Sequence, residues 1–227
     1  MALLGQAALA MWWDIESGMR AEFEHWHSHQ HFPERLGIPG FRRASRWSSA
    51  DGGEGFFVLY ELAGHEVLSS PAYLERLNAP TPWSQRMMPQ HRNMVRSQCR
   101  VLESRGAAVS RNLLTIRLSP LPAREHELRS ELHALAQALP QRPGISGMHL
   151  LRHENPAIAV TEEQKIRGLR DGAADWIVLL SAYDGERLRE LAAAELSPPA
   201  LEAVGAAPGI RSQAHLLSAA LQQADAL

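Results

Sequence analysis

Two proline–glycine pairs, Pro39-Gly40 and Pro143-Gly144, punctuate the chain at equivalent points and constrain its folding more than any other feature. Each stands between a predicted helix and a predicted strand. The elements around them come in the same order twice. In the first half an apolar run from Ala7 to Ile15 reads as a strand, and a helix is expected from about Gly18 to Gln30. After Pro39-Gly40 come the strands "FRRASRWSS" and "FFVLYELA", separated by the turn cluster "ADGGEG". A helix around "HEVLSSPAYLERLNA" and the strand "RSQCRVLES" complete the set. The second half repeats the order with "NLLTIRLS", the helix "AREHELRSELHALAQAL", "ISGMHLLRH", "DWIVLLSAY", the helix "GERLRELAAAEL" and "IRSQAHLLSA". Leu128, Leu132, Leu135 and Leu139 form a helical stripe in that half. "RSQCRVL" and "RSQAHLL" open the last strand of each half, which supports a repeat.

The order β-α-β-β-α-β is that of the split-βαβ, ferredoxin-like unit, an antiparallel sheet with helices on one face. Its bare apolar face needs a cover. The fold class expected is therefore α+β: two ferredoxin-like β-α-β-β-α-β modules, over residues 1–106 and 107–227, packed sheet to sheet as an intrachain α+β barrel. An interior of that kind suits a small-molecule ligand.

The bulk composition narrows the classes of function. A net charge of −2 with scattered arginines supplies no phosphate-neutralising surface, so no nucleic-acid partner is expected. Cys99 is alone, which rules out an intrachain disulfide or a thiolate zinc cluster. The apolar start "MALLGQAALAMWWDI" is too short to span a bilayer and lacks a basic flank. It reads as a buried strand, with no membrane partner and a cytoplasmic location expected. Exposed edge strands leave a homodimer open.

The chemistry concentrates in "EHWHSHQHFPERLGIPGF", residues 24 to 41. At 100° per residue Met19, Phe23, Trp26 and Gln30 share a packing face. His25 and His29 point toward solvent, while Glu24, His27 and His31 cluster beside the packing face. Pro33 is expected to end or restart the helix after His31. The i, i+4 histidines have the spacing of two metal ligands, with Glu24, Asp14 or His91 as a third, but Ser28 stands where a zincin requires Glu. They equally suit acid–base chemistry, with Glu24 or Glu34 setting the tautomer. A purely structural reading has His31, Glu34 and Arg35 tying down the helix end. Neither a metal nor a cofactor is required by the first assignment, which takes His31, His27 and Glu24 as catalytic candidates. Strand alternation nominates Trp12, Asp14, Arg43, Trp47 and Tyr60 as ligand-binding residues of the interior, although parity does not say which face is inside. The segment "TEEQKIRGLRDGAA" reads as a charged surface excursion that could also form a lid.

The stretch "EFEHWHSHQHFPERLGIPGFRRASRW" followed by "FFVLYEL" resembles the dimeric α+β barrel superfamily, which includes EthD-like proteins, antibiotic-biosynthesis monooxygenases and polyketide cyclases. The second half keeps Pro143-Gly144 but has "ELHALAQALPQRPGISG" in place of the His-rich segment. The resemblance implies an intrachain pseudo-dimer with one working pocket on the first module's side. It implies a cofactor-independent cyclase or monooxygenase acting on an aromatic or polyketide-like compound by His-mediated proton transfer. A non-catalytic binding or stress-related module is the first alternative it leaves, and a haem- or metal-binding member the second.

Overall fold

The computed structural model describes residues 3–106, 108–168 and 171–225. Its strands are β1 (Ala7–Asp14), β2 (Phe41–Ser49), β3 (Gly55–Leu62), β4 (Arg92–Gly106), β5 (Asn112–Leu118), β6 (Ile145–His153), β7 (Trp176–Ala182) and β8 (Arg211–Gln222). They follow one another in a closed barrel in the order β1-β3-β2-β8-β5-β7-β6-β4. The fold is a mixed helix–strand fold built on that eight-stranded barrel. Among the described residues no helix is long and apolar enough to cross a membrane.

By contact density the chain forms two compact units. The first, here the N-unit, comprises Leu4–Arg100, Glu154–Ala173 and the residues from Ser218 onward. Its sheet pairs β1 with β3, β1 with β4 and β2 with β3, all antiparallel. Its helices are α1 (Arg20–Trp26), a π-helical turn (His27–His31), α2 (Phe32–Leu36), α3 (Pro71–Asn78) and α4 (Pro82–Met87). One face of the sheet, carrying Leu9, Met11, Trp13, Phe56, Val58 and Tyr60, packs with Phe23, Trp26, Phe32 and Leu36 in a single apolar cluster. The second, the C-unit, comprises Val101–His153 and Ala174–Leu217 together with Leu3. There β5 and β6 flank β7, and β5 also pairs with β8. The helix α5 (Glu125–Ala138) buries Leu128, Leu132 and Ala136 against that sheet's cluster. Asp184 accepts backbone hydrogen bonds from Glu186 and Arg187 and so caps the helix that follows it.

The helix carrying the histidines does not stop at Pro33. A proline inside a helix lacks an N–H, and its ring crowds the carbonyl four residues back. Here the chain widens by one residue per turn, and the Phe32 N–H donates to the His27 carbonyl, five residues back. The widened turn moves the crowded carbonyl aside and lets α2 continue to Leu36. Such single π turns are rare and occur often at functional sites.

Both Pro-Gly turns have their glycine in the left-handed region, Gly40 at φ +97° and Gly144 at φ +93°. At Gly40 a Cβ would fall 2.4 Å from Val67 Cγ2, whereas at Gly144 the closest atoms would be Arg187 Cγ at 2.9 Å and Arg187 Cβ and Asp184 Cβ at 3.1 Å. Gly40→Ala is expected to cost about 2–3 kcal/mol from the φ penalty plus overpacking, and Gly144→Ala distinctly less. Urea unfolding of the two variants checks the ranking, and equal losses would contradict it.

Candidate functional site

The N-unit sheet has two unlike faces, and the register assigns the residues to them. Leu9 lies opposite Tyr60 on β3, and Met11 lies opposite Arg96 on β4, so Leu9, Met11, Trp13, Tyr60 and Arg96 share the helix-covered face. Trp12 and Trp47 both lie opposite Phe57, and Arg43 opposite Glu61, on the other face. Of the five expected ligand residues, Tyr60 is thus separated from Trp12, Arg43 and Trp47. On that other face the Trp12 and Trp47 rings pack on Phe57 at 4.8 and 5.5 Å. Arg43 makes a two-pronged ion pair with Glu61 at 2.6 and 2.9 Å. Asp14, at the strand end, accepts from Asn93 at 2.8 Å.

The helix-covered face holds a small pocket of about 40 Å³. The sheet supplies Trp13, Tyr60 and Arg96, the long helix supplies Trp26, His27, His31 and Arg35, and α3 supplies Tyr73. His91 enters from the turn after α4. Glu163 and Arg167 come from the segment 154–173, which folds against this site. The expected surface excursion is therefore a wall of the pocket. It contains α6 (Glu162–Ile166), started by a capping box between Thr161 and Gln164.

His27 and His31 are 1% and 9% exposed, and their rings stack at 5.3 Å. The π turn keeps both on the pocket side, while exposed His25 and His29 stack on each other at 4.4 Å outside. Glu24 does not join them; half-buried, it pairs with Arg20 at 3.3 Å. The structure therefore brings together His27, His31 and Tyr60 of the expected site residues, with Arg35, which the structural reading had placed at the helix end. Arg35, 3% exposed, hydrogen-bonds to Glu163, 4% exposed, and Glu163 also faces Arg167 at 3.7 Å. The second carboxylate near Arg35, Glu34, is 3.9 Å away.

Burial above all, and then the charge of Arg46, holds the His27 imidazole well below its ordinary pKa. Burial followed by Arg35 does the same to His31. Burial also brings His91 down to about 4. Burial pushes the Tyr60 phenol up. At neutral pH the site thus presents three uncharged imidazoles and an uncharged phenol beside a guanidinium. Burial is the largest influence and works against the Arg35 charge, but Glu163, Tyr73, Tyr60 and Glu34 together outweigh it and the group stays protonated.

Six side-chain atoms around this pocket are buried with no hydrogen-bond partner among the described residues: Trp13 Nε1, Trp26 Nε1, His27 Nδ1, His31 Nδ1, Arg35 Nη1 and Tyr60 Oη. Buried polar groups in native proteins are nearly always satisfied. All six belong to residues that line this one small pocket, where water or a ligand is the ordinary way such groups are satisfied. A wider open basin of about 480 Å³ shares His91, Met94 and Arg167 with the pocket and is completed by Asn93, Asp171 and Gly172.

No group of three or more His, Cys, Asp or Glu among the described residues is arranged to hold a metal ion. The inner pocket alone, at about 40 Å³, is smaller than the roughly 300–1,000 Å³ of ligand-sized sites, and only the adjoining basin extends it. The C-unit offers a surface groove of about 320 Å³, whose charges Arg142–Glu195 and Arg187–Glu190 are paired at 2.6 Å.

Sequence reasoning did not find Trp13, Trp26, Tyr73, Glu163 or Arg167 as site residues. For the last two a signal existed: Glu163, Arg167 and Asp171 recur at four-residue intervals. In the structure Arg167 pairs with both carboxylates.

Comparison with known proteins gives the fold. No protein-family model and no curated protein matches the chain. Among solved structures the chain is similar to an anthrone oxidase-like protein, with a TM-score of 0.66, 12% identity and coverage of 100% of this chain and 98% of the other. It is similar to a candidate monooxygenase from Fusobacterium nucleatum (TM-score 0.64, 7% identity, 97% and 96% covered). It is also similar to a candidate monooxygenase from Lactobacillus acidophilus (TM-score 0.60, 9% identity, 96% and 97% covered). At these identities the likeness is one of fold, the ferredoxin-like barrel of monooxygenase-like proteins.

Proposed function

We propose that the N-unit pocket is the site of a small-molecule enzyme, a cofactor-independent monooxygenase or cyclase acting on an enolisable aromatic or polyketide-like ketone. The observation that carries this reading is that six residues lining one pocket, Arg35 among them, each hold a buried polar atom with no hydrogen-bond partner among the described residues. The named fold neighbours, an anthrone oxidase-like protein among them, agree with it.

The step common to both chemistries is removal of a proton from the carbon beside the ketone. His31 or His27, held neutral, takes that proton, and the electron pair moves onto the carbonyl oxygen as an enolate. Arg35 Nη1 and Tyr60 Oη, both buried without a hydrogen-bond partner, are the donors assigned to stabilise the enolate oxygen. The new negative charge supplies the counter-ion that the imidazolium lacked. In a cyclase the enolate carbon attacks a second carbonyl of the same molecule and the proton returns to the oxygen formed. In an oxygenase it reduces dioxygen: a methylene becomes a ketone, four electrons pass from substrate to O₂, one oxygen atom is retained and the other leaves as water.

Deuterium wash-in at the acidic methylene of anthrone, followed by NMR, reads the shared step. The protein is expected to accelerate exchange well beyond an equal concentration of imidazole, and His31→Ala to slow it about 100-fold with little change in melting temperature. Because both imidazole pKa values are lowered, the exchange rate should show no inflection near 6.5, and its acid limb should lie below that value. Exchange no faster than with imidazole buffer would remove the reading.

A further inference from the structure

The segment 154–173 supplies Glu163 and Arg167 to the pocket, yet it is attached differently from the pocket's other walls. Trp13 and Tyr60 of the sheet, Trp26 of α1 and Tyr73 of α3 belong to one buried apolar cluster, so moving any of them exposes apolar surface to water. Within 154–173 the buried side chains among the described residues are Thr161 and Glu163, both polar. Ile158 and Ile166 are only half-buried, and Val160 is exposed. Both ends of the segment are tied down. Arg100 donates to the Glu154 carboxylate at 2.8 Å, and the Glu154 N–H donates to the Gln98 carbonyl at 2.8 Å. At the far end the Gly172 N–H donates to the Met94 carbonyl at 2.9 Å and the Arg96 N–H to the Gly172 carbonyl at 2.8 Å. Between these anchors α6 meets α2 and α3 through polar contacts, Glu163 with Arg35 and the Glu162 N–H with Asn78 Oδ1 at 3.1 Å. Lifting α6 would return Arg35 and Glu163 to water together and restore the hydration that each lost on burial. A segment held by few buried apolar contacts opens at lower cost than the core beneath it. His91, Met94 and Arg167 are common to the pocket and the outer basin, so the end of α6 is also part of what divides them.

We infer that residues 155–168 form a strap that gates the N-unit pocket. It opens by local detachment of α6 from α2 and α3, with Glu154 and Gly172 as fixed ends and the Arg35–Glu163 pair as the latch. Small molecules reach His27 and His31 through that opening. This deepens the proposed function and rests on it only for the kind of molecule admitted.

Two measurements on the full chain test the strap. In the first, hydrogen–deuterium exchange followed by mass spectrometry compares the backbone amides of 155–168 with those of β3. The strap is expected to exchange about 100-fold faster or more. In the second, Asn78→Cys and Glu162→Cys together place thiols on α3 and α6, both at exposed positions, for a reducible bismaleimide. The native Cys99 is buried, and burial pushes its thiol pKa up, so it stays unreactive. Diethylpyrocarbonate, a small uncharged reagent for neutral imidazoles, then reads access to His31, with exposed His25 and His29 as controls in the same segment. Linking is expected to slow His31 modification about 10-fold or more relative to the controls, and reduction of the linker to restore it. Strap amides protected as strongly as those of β3 would overturn the inference, and so would His31 modified equally fast in the linked and unlinked forms. Neither readout depends on turnover. Should the parent fail to accelerate anthrone exchange while the strap behaves as expected, the proposed function falls and the gate stands.

Discussion

Replacing Glu163 with Gln is expected to destabilise the chain by about 3–5 kcal/mol, the usual cost of leaving one member of a buried ion pair uncompensated. Arg35 and Glu163 are both almost fully buried, and Arg35's other carboxylate, Glu34, is 3.9 Å away. Without Glu163 the guanidinium would keep its charge and lose its close partner. The reverse change is milder. In Arg35→Met, Glu163 still faces Arg167 at 3.7 Å, and Arg167 remains anchored by Asp171 at 2.9 Å. A double variant, Arg35→Met with Glu163→Leu, removes both buried charges, leaves Arg167 with Asp171, and should recover to within about 1 kcal/mol of the parent. Urea midpoints at constant slope measure all three. Because this pair helps to hold α6 against α2 within the N-unit, Glu163→Gln should also open the segment 154–173 to limited proteolysis, which the double variant should reverse. Arg35→Met proving costlier than Glu163→Gln would show that the pair is not organised as described.

How far the sequence disclosed this arrangement depends on where each part's cause lies. β2 and β6 match the expected strands residue for residue, because a Pro-Gly turn fixes where each begins and local composition carries the rest. The leucine stripe of α5 is equally local, with Leu128 and Leu132 fully buried. The faces of β1 were not legible: seven of its eight residues are buried, so alternation has no wet side to read. Register with β3 separates Tyr60 from Trp12, and register is not written in either strand alone. The histidines were half legible. Helical arithmetic sends His25 and His29 outward and His27 and His31 inward, as the structure has them, but it assumes four-residue hydrogen bonds and so misses the π turn through which the helix passes Pro33. Glu24, placed beside them by that same arithmetic, pairs with Arg20 instead. Glu163 lies 128 residues from its partner Arg35, beyond any local rule.

The second large effect expected is acid destabilisation well above the carboxylate range. The unfolded chain binds a proton on each of His27, His31 and His91 as pH falls through about 6.5, while the folded chain keeps all three imidazoles neutral to a lower pH. In that window the unfolded state holds more protons, so stability rises with pH and falls on acidification. The His91 value of about 4 corresponds to roughly 2 kcal/mol lost by pH 5. Glu34 and Glu61 work the other way: burial raises both, so the folded state takes up their protons first and gains stability just above pH 4.5. His27 and His31 add to this loss in the same direction and the two carboxylates oppose it, so acidification from pH 7.5 to 5 is expected to lower stability, with His91 alone accounting for roughly 2 kcal/mol. Urea midpoints at these two pH values measure it. His91→Phe, placed among the rings of Trp13, Phe23 and Trp26, should shrink the difference by about its own share of 2 kcal/mol. Equal midpoints at pH 7.5 and pH 5 would mean that the three histidines are not held neutral, and the proton-accepting role assigned to His27 and His31 would lose its electrostatic basis.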